Sequence, residues 1–303
     1  MRGATIAGVE AGGTKMLCAL ATAGGEVLEQ TRIATGEPDG TFAEIARFYA
    51  AAVARHGPVA AAGVASFGPL DLVESSATYG CLTGTPKPGW SGVDIRSAIA
   101  GIVGAPTAID TDVNCAALAE MRHGAAQGLD RVCYVTIGTG IGIGIVEGGR
   151  TNSGTGHPEA GHIRVPRAPG DDFAGTCPAH GDCLEGLACG PAMQARWGRP
   201  AEDLPDDHVG WRFAAHYFAA LCTNLTYTIR PQRIVIGGGV MQRASLLAAV
   251  HGVYRDMMAG YALDPCSASV ETFIVPPHPG EVSAGLTGAL VMASGLADRA
   301  GRR

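Results

Sequence analysis

The same local pattern occurs twice in this chain: an apolar strand, a turn of glycine and threonine, and a second apolar strand. The first turn comprises Gly12, Gly13, Thr14 and Lys15, and the second comprises Gly138, Thr139 and Gly140. Both turns lead into a strand, whereas the Walker A and dinucleotide-binding glycine motifs lead into a helix. The repeat predicts a duplicated strand–turn–strand unit, with one copy in each half of the chain.

Strands alternate with helices in both halves of the sequence. The strands of the two units are expected at 5–9, 16–21, 131–137 and 141–146, and further strands at 27–34, 60–67, 107–111 and 233–236. Helical spacing of apolar residues is found at 42–53, 94–102, 114–122, 211–227, 246–258 and 283–296. This alternation predicts an α/β fold with two sheets and a cleft between two lobes.

Composition excludes several classes of protein. The chain has 303 residues, of which 47% are hydrophobic and 17% charged, so we expect a large core. The net charge of −6 without a basic stripe argues against a nucleic-acid partner. No apolar run reaches the ~18 residues of a membrane span. Nine scattered cysteines argue against a disulfide framework and favour a reducing cytoplasm.

A cluster of metal-ligand residues occurs between residues 157 and 186. His162, Cys177, His180 and Cys183 form a set that suits tetrahedral Zn²⁺. Four protein ligands leave no open position, which indicates a structural metal. The alternative is ordinary core cysteines and surface histidines. Glu159 and Glu185 lie close to the outermost ligands, so a zinc-stapled loop would hold two carboxylates for a polar substrate.

The glycine turns suggest phosphate binding. A third glycine run, Gly237 to Gly239, follows the strand at 233–236. Backbone N–H groups and threonine hydroxyls in such turns can surround phosphate oxygens, and Lys15 could add a positive charge. Each turn taken singly is more often a tight hairpin. Three of them together favour nucleotide binding.

Asp112 lies where a strand ends and a helix begins. One interpretation is a helix N-cap, a position that aspartate favours. The helix dipole there would also keep its carboxylate ionised. An ionised carboxylate can take the proton from a hydroxyl that attacks phosphorus. Asp112 is therefore a candidate general base.

Several motifs in this order resemble the sugar kinases of the ROK family (repressors, open reading frames, kinases), in particular the bacterial ROK fructokinases. The matching segments are 8–15, 66–69, 111–114, 137–142, 157–162, 177–185 and 237–241. The resemblance implies a two-lobed actin/hexokinase-like fold, a duplicated ribonuclease H-like architecture, and a homodimer. It also implies an N-terminal domain of residues 1–112 plus 284–303 and a larger domain of residues 113–283 that contains the zinc loop, about 157–186.

The resemblance also implies the roles of individual residues. Asp112 would be the catalytic base. The residues that bind the sugar would be Gly68, Pro69, Asn114, Glu159, His162 and Glu185. The residues that bind ATP would be Gly12, Gly13, Thr14, Lys15, Gly138, Thr139, Gly140, Pro191, Gly238, Gly239, Val240 and Met241. Mg²⁺ would accompany the nucleotide, and structural Zn²⁺ would bind His162, Cys177, His180 and Cys183.

Two positions depart from the common family pattern. Glu10 stands where many ROK kinases have an aspartate near Mg²⁺, so its link to Mg²⁺ is weak. His180 stands where most ROK zinc sites have a cysteine. Both changes are typical of the fructokinase subgroup.

The expected reaction is ATP-dependent phosphorylation of D-fructose at its 6-hydroxyl. Glucose, mannose or an N-acetylhexosamine are the alternative substrates. A sugar-responsive repressor would carry a helix-turn-helix before the first glycine turn, and only eleven residues precede Gly12. A zinc-stapled binding module without catalysis would not need Asp112, Lys15 and the glycine turns.

Overall fold

The computed structural model describes residues 5–85, 87–152 and 154–300. Its strands are β1 (Thr5–Ala11), β2 (Lys15–Thr22), β3 (Val27–Ala34), β4 (Val59–Ser66), β5 (Thr107–Thr111), β6 (Arg131–Ile137), β7 (Ile141–Glu147), β8 (Arg150–Thr151), β9 (Arg233–Gly237) and β10 (Ile274–Val275). Its helices are α1 (Pro38–His56), α2 (Ile95–Val103), α3 (Asp112–His123), α4 (Leu184–Ala188), α5 (Gly190–Trp197), α6 (Val209–Thr228), α7 (Ala244–Met258), α8 (Val270–Phe273) and α9 (Ala284–Ala300).

The two sheets have the same strand order. In the first sheet the order is β3-β2-β1-β4-β5, and in the second it is β8-β7-β6-β9-β10. The central strand of each, β1 or β6, pairs antiparallel with the strand that follows its glycine turn and parallel with the next strand. The expected α/β fold with a duplicated strand–turn–strand unit is confirmed.

The chain divides into two compact units. Unit 1 comprises Met1–Arg122, Thr151–His157 and Gly280–Arg303, and unit 2 comprises His123–Arg150 and Pro158–Pro279. The domain limits expected from the sequence, 1–112 with 284–303 and 113–283, differ from these units at α3 and at the segments 151–157 and 280–283. Those limits stay a prediction.

Unit 1 is built around β1 and β4, whose residues are almost all buried. Helix α9 packs on both strands. The approach is close because Gly63 of β4 lacks a side chain: a Cβ at this position would lie 1.9 Å from the Ala289 carbonyl oxygen. In α1, the buried residues Ile45, Tyr49 and Ala52 recur at helical spacing, and the helix ends at Gly57 with φ 102°.

Unit 2 has its core around α6. Tyr217, Phe218 and Leu221 of this helix are fully buried together with Val135 of β6 and Ile234 of β9. Among the described residues, no helix combines the length and apolarity that a membrane span requires.

The main differences from the expected elements are α4, α5, α8, β8 and β10, which the sequence did not indicate. These elements have between two and eight residues. Elements this short carry too few apolar repeats to show a period.

Candidate active site

Four side chains of unit 2 converge on one point. His162 ends a short 3₁₀ turn, Ala160–His162, and Cys183 directly precedes α4. The ligand atoms of His162, Cys177, His180 and Cys183 all lie within 4.8 Å of one another. The His162 Nδ1 atom lies 3.4 Å from Cys183 Sγ and 3.7 Å from Cys177 Sγ.

These distances fit a tetrahedral zinc ion. Zinc bonds of about 2.3 Å to sulfur and about 2.0 Å to nitrogen place neighbouring sulfur and nitrogen ligands about 3.5 Å apart. The third sulfur–nitrogen pair, Cys177 Sγ and His180 Nδ1, lies at 3.6 Å. Cys177 and Cys183 are buried, and burial raises the pKa of the Cys183 thiol. Zinc would therefore displace the proton of that thiol as it binds.

The other ring nitrogen of His162 faces two carboxylates. Its Nε2 atom lies 3.8 Å from Glu185 Oε1 and 4.0 Å from Glu159 Oε2. Because Nδ1 points to the metal-ligand set, a bound metal would leave the proton on Nε2, on the side of the carboxylates. The structure thus brings together Glu159, His162 and Glu185, the three residues of unit 2 expected to bind sugar.

Glu185 is fixed by the turn between β6 and β7. The Ile141 N–H donates to its Oε2 atom at 2.9 Å. Gly140 leaves the room for this carboxylate, since a Cβ there would lie 2.6 Å from Oε2. Gly140 was expected to bind nucleotide; in addition, it borders the Glu185 carboxylate, which was expected to bind sugar.

Three segments expected to bind nucleotide meet in unit 2. The Gly190 N–H at the start of α5 donates to the Gly138 carbonyl at 2.8 Å, which brings Pro191 next to the β6–β7 turn. Gly238 has φ 98°, and a Cβ there would lie 2.4 Å from the Ile137 carbonyl oxygen. The 3₁₀ turn Gly239–Gln242, with Val240 and Met241, follows directly.

The corresponding turn of unit 1 connects β1 with β2. Gly13, Thr14 and Lys15 are exposed. The Gly12 N–H donates to the Lys15 carbonyl at 2.9 Å, which closes the turn. The threonine hydroxyl and the lysine amine are therefore on the surface of unit 1, available to an anion.

Asp112 is the first residue of α3, but it is not the residue that caps this helix. The Asn114 N–H donates to the Thr111 hydroxyl at 3.2 Å, so Thr111 has that role. The half-buried Asp112 carboxylate accepts from the Val113 N–H at 2.9 Å. It lies at the positive end of the helix dipole, which favours its ionised form.

Asn114 is oriented by Asp110, which the sequence did not indicate as a site residue. The buried Asn114 amide donates to Asp110 Oδ1 at 2.7 Å, and the Thr151 hydroxyl donates to Asp110 Oδ2 at 2.5 Å. Burial raises the pKa of Asp110, although these hydrogen bonds and one from the Thr111 N–H oppose the effect. Asp110 thus fixes the orientation of the Asn114 side-chain amide.

The Gly68-Pro69 segment follows β4 and contains a cis peptide bond. The Leu70 N–H donates to His157 Nε2 at 3.2 Å. A Cβ at Gly68 would lie 3.3 Å from the same imidazole ring. His157 was part of a matching motif without a role of its own, and the structure shows that it holds this loop.

Glu10 contacts the start of α9. The Leu286 N–H donates to its Oε2 atom at 3.1 Å, and the Ser283 hydroxyl donates to the same oxygen. Within the described ranges, the zinc set is the one group of three or more His, Cys, Asp and Glu residues placed to share a metal. Glu10 thus contacts the start of a helix in this structure, and its weak link to Mg²⁺ stays a prediction.

Comparison with known proteins agrees with the family resemblance found in the sequence. Residues 6–295 match the ROK family. A fructokinase of Zymomonas mobilis is 39% identical over 289 residues, which are 94% of this chain and 95% of that protein. A fructokinase of Pediococcus pentosaceus is 37% identical over 285 residues, 94% of this chain and 96% of that protein.

Solved structures agree with these sequence matches. The crystal structure of a ROK hexokinase from Thermus thermophilus has a TM-score of 0.78 and 26% identity, and the match covers 97% of this chain and 99% of that one. A ROK family glucokinase from Streptomyces griseus, solved with glucose and AMPPNP, has a TM-score of 0.71 and 26% identity over 95% of this chain and 99% of that one.

Proposed function

Because this chain belongs to the ROK family, we propose that it transfers the γ-phosphoryl group of ATP to the 6-hydroxyl of D-fructose. The observation that carries the proposal is the match to proteins named fructokinase, at 36–39% identity over nearly the whole chain. The glucokinase solved with the ATP analogue AMPPNP supports ATP as the donor.

Asp112 is the proposed general base. Its carboxylate accepts the proton of the sugar 6-hydroxyl while that oxygen bonds to the γ-phosphorus and the bond from phosphorus to the β–γ bridging oxygen breaks. The products are fructose 6-phosphate and ADP. Thr111 supports this role, because it caps α3 and leaves the Asp112 carboxylate half-exposed at the positive end of the helix.

The residues proposed to bind the sugar hydroxyls are those that the family resemblance implies. Unit 2 supplies the carboxylates of Glu159 and Glu185 and the Nε2 atom of His162. In unit 1 the proposed groups are the Asn114 side chain and the Gly68-Pro69 loop. Carboxylates accept hydrogen bonds from hydroxyls, and the Nε2–H group donates to them, so the set can recognise both roles of a sugar hydroxyl.

The two glycine-threonine turns are proposed to bind the phosphates of ATP. Exposed backbone N–H groups with the Thr14 and Thr139 hydroxyls can donate to phosphate oxygens, and Lys15 adds a charge. Pro191 and Gly238 to Met241 are proposed to border the adenosine. Mg²⁺ would neutralise phosphate charge, with phosphate oxygens and water among its ligands.

Zinc is proposed as a scaffold. The set of His162, Cys177, His180 and Cys183 leaves no open position, so the metal would fix the orientation of His162 without contacting substrate. The nine free cysteines fit a reducing cytoplasm, which we propose as the location. A homodimer is the oligomeric state that the family resemblance suggests.

A panel of hexoses in an assay that couples ADP release tests the substrate. We expect kcat/KM for fructose to exceed that for glucose, mannose and N-acetylhexosamines. Asp112→Asn serves as the inactive control, because it retains the fold of α3. Turnover of glucose above fructose would overturn the choice of substrate, and a lack of turnover with every hexose would overturn the kinase itself.

A further inference from the structure

Trp90 has no role in the reaction described above, yet it is the largest fully buried side chain of the described residues. Its indole Nε1–H donates to the Gly36 carbonyl at 2.9 Å. Its ring contacts Phe67 edge-on, with 6.0 Å between centroids, and Phe42 at 5.5 Å. All of these residues belong to unit 1.

On one side, Trp90 contacts the residue before the Gly68-Pro69 segment, which is called here the sugar loop. Phe67 directly precedes the Gly68-Pro69 segment. The Phe67 N–H donates to the Ala11 carbonyl at 2.9 Å, one residue before the Gly12–Lys15 turn. The backbone from which the sugar loop starts is therefore held between Trp90 and the end of β1.

The other side leads to the phosphate turn through Thr35, the neighbour of Gly36. The Thr35 hydroxyl donates to the Gly12 carbonyl at 2.7 Å, and the Thr35 N–H donates to the Thr14 carbonyl at 3.1 Å. Thr35 is 7% exposed, whereas Gly13 to Lys15 are exposed. The Lys87 amine donates to the Thr35 carbonyl at 2.9 Å, so the segment that carries Trp90 contacts Thr35 as well as Gly36.

We propose that Trp90 and Thr35 are positioning residues that hold the Gly12–Lys15 turn and the Gly68-Pro69 loop in one fixed arrangement. This Trp90–Thr35 brace rests on the proposed function, in which the Gly12–Lys15 turn binds ATP and the Gly68-Pro69 loop binds sugar. In-line phosphoryl transfer depends on reactants held in attacking geometry, and rigid supporting contacts provide it. The two segments are more than 50 residues apart in sequence, and the brace joins them through one buried side chain.

The substitution Thr35→Val tests the hydroxyl. It keeps the shape and the N–H bond to Thr14 but removes the bond to the Gly12 carbonyl. The loss of one such hydrogen bond predicts a rise of about three- to tenfold in the KM and Kd for ATP. Thr35→Ser, which retains the hydroxyl, is expected to restore both values.

The substitution Trp90→Phe tests whether Trp90 connects the Gly12–Lys15 turn with the Gly68-Pro69 loop. It removes the indole N–H and part of the contact with Phe67. We expect KM to rise about threefold or more for both ATP and fructose, whereas Thr35→Val should raise the KM for ATP alone. In the double variant the effect on ATP should be smaller than the product of the single effects, because both act on the same turn.

Tyr49→Phe is the matched control. The Tyr49 hydroxyl donates to the Gly8 carbonyl at 2.7 Å, a buried bond to backbone in the same core that reaches neither segment. This variant loses one buried hydrogen bond, as Thr35→Val does, so the two should lower Tm by similar amounts. The KM values of Tyr49→Phe for ATP and fructose should stay within about twofold of wild type. The brace is refuted when Thr35→Val and Trp90→Phe leave the KM for ATP unchanged, or when Tyr49→Phe raises it equally.

Two measurements keep this test separate from that of the proposed function. The Kd for ATP is measured without sugar, and the hydrogen-exchange rate of the Gly12 amide reports on the turn itself. Thr35→Val should speed that exchange by about three- to tenfold. If the wild-type protein binds ATP but phosphorylates no hexose, the proposed function is refuted. The two measurements, of the Kd for ATP and of amide exchange, remain valid in that case. Unchanged Kd and unchanged exchange in Thr35→Val would end the brace alone.

Discussion

Gly140→Ala should weaken sugar binding while the protein remains folded. Gly140 does not have a left-handed φ, so alanine suits its backbone. Its Cβ would lie 2.6 Å from Glu185 Oε2, and an ordinary carbon–oxygen contact is about 3.3 Å, so the oxygen has to move by about 0.7 Å. The bond from the Ile141 N–H, now 2.9 Å, would stretch to about 3.6 Å if the oxygen moved directly away from that nitrogen, and 3.6 Å is too long for a hydrogen bond.

The magnitude follows from the charge on Glu185. A hydrogen bond to a charged group contributes about 1.5–3 kcal/mol, and a carboxylate displaced from its place would raise the KM for sugar about 10- to 100-fold. The Glu185 side chain is 25% exposed and can turn towards solvent. The change in Tm should therefore stay below about 4 °C.

Gly138→Ala supplies the control from the same turn. A Cβ at this position meets no atom of the described residues within 4 Å, and its φ is also ordinary. Both variants add one methyl group to a turn expected to bind ATP, but only Gly140→Ala reaches the Glu185 carboxylate. Steady-state kinetics should show a raised KM for fructose in Gly140→Ala alone. Equal values of that KM in the two variants would refute the role given to Glu185.

Three further predictions concern the base, the metal and pH. Asp112→Asn should lower kcat by about 10²–10⁴-fold with an unchanged Kd for ATP, and near-normal turnover would remove Asp112 from the mechanism. Chelation of zinc should raise the KM for sugar before ATP affinity changes. Unaltered sugar affinity after chelation would refute the idea that the metal orients the sugar-binding residues. The Asp171 side chain is 2% exposed, and its Oδ2 atom lies 2.9 Å from Arg196 Nη1. Burial raises its pKa, but Tyr217, the Phe173 N–H and Arg196 together hold it below its ordinary value. Its contribution to stability is thus present above about pH 4 and lost below it. Asp171→Asn should cost about 3–5 kcal/mol in urea unfolding at pH 7. At pH 3 the cost should be smaller by at most about 1 kcal/mol, since pH 3 lies about one unit below the ordinary pKa of aspartate.

Much of the site could be predicted because its signals are local. The four candidate metal ligands lie between residues 162 and 183, and their residue types and spacing indicate a metal. The glycine-threonine turns each follow a strand, so their place at the edge of a sheet could be expected from the sequence. The role of Asp112 came from its position at the start of a helix and from the family resemblance, and it stays a prediction.

The supporting residues could not be predicted in this way. Asp110 and Thr151 are 41 residues apart, Ile141 and Glu185 are 44 apart, and Leu70 and His157 are 87 apart. No periodicity or spacing rule relates such residues, because their contact depends on how strands and loops pack. The sequence also left open whether Asp112 capped α3, which depended on the hydroxyl of the preceding threonine.

The sequence by itself determined the repeated strand–turn–strand unit, the metal-ligand set and the family, since each depends on residues near one another or on matches along the chain. Only the tertiary structure decided which groups orient the site: Asp110 behind Asn114, His157 on the Gly68-Pro69 loop, Gly140 beneath Glu185, and Trp90 with Thr35 beside the first turn. The physical reason is that a hydrogen bond requires atoms about 3 Å apart. The fold brings distant segments to that distance, and local sequence does not record which segments these are.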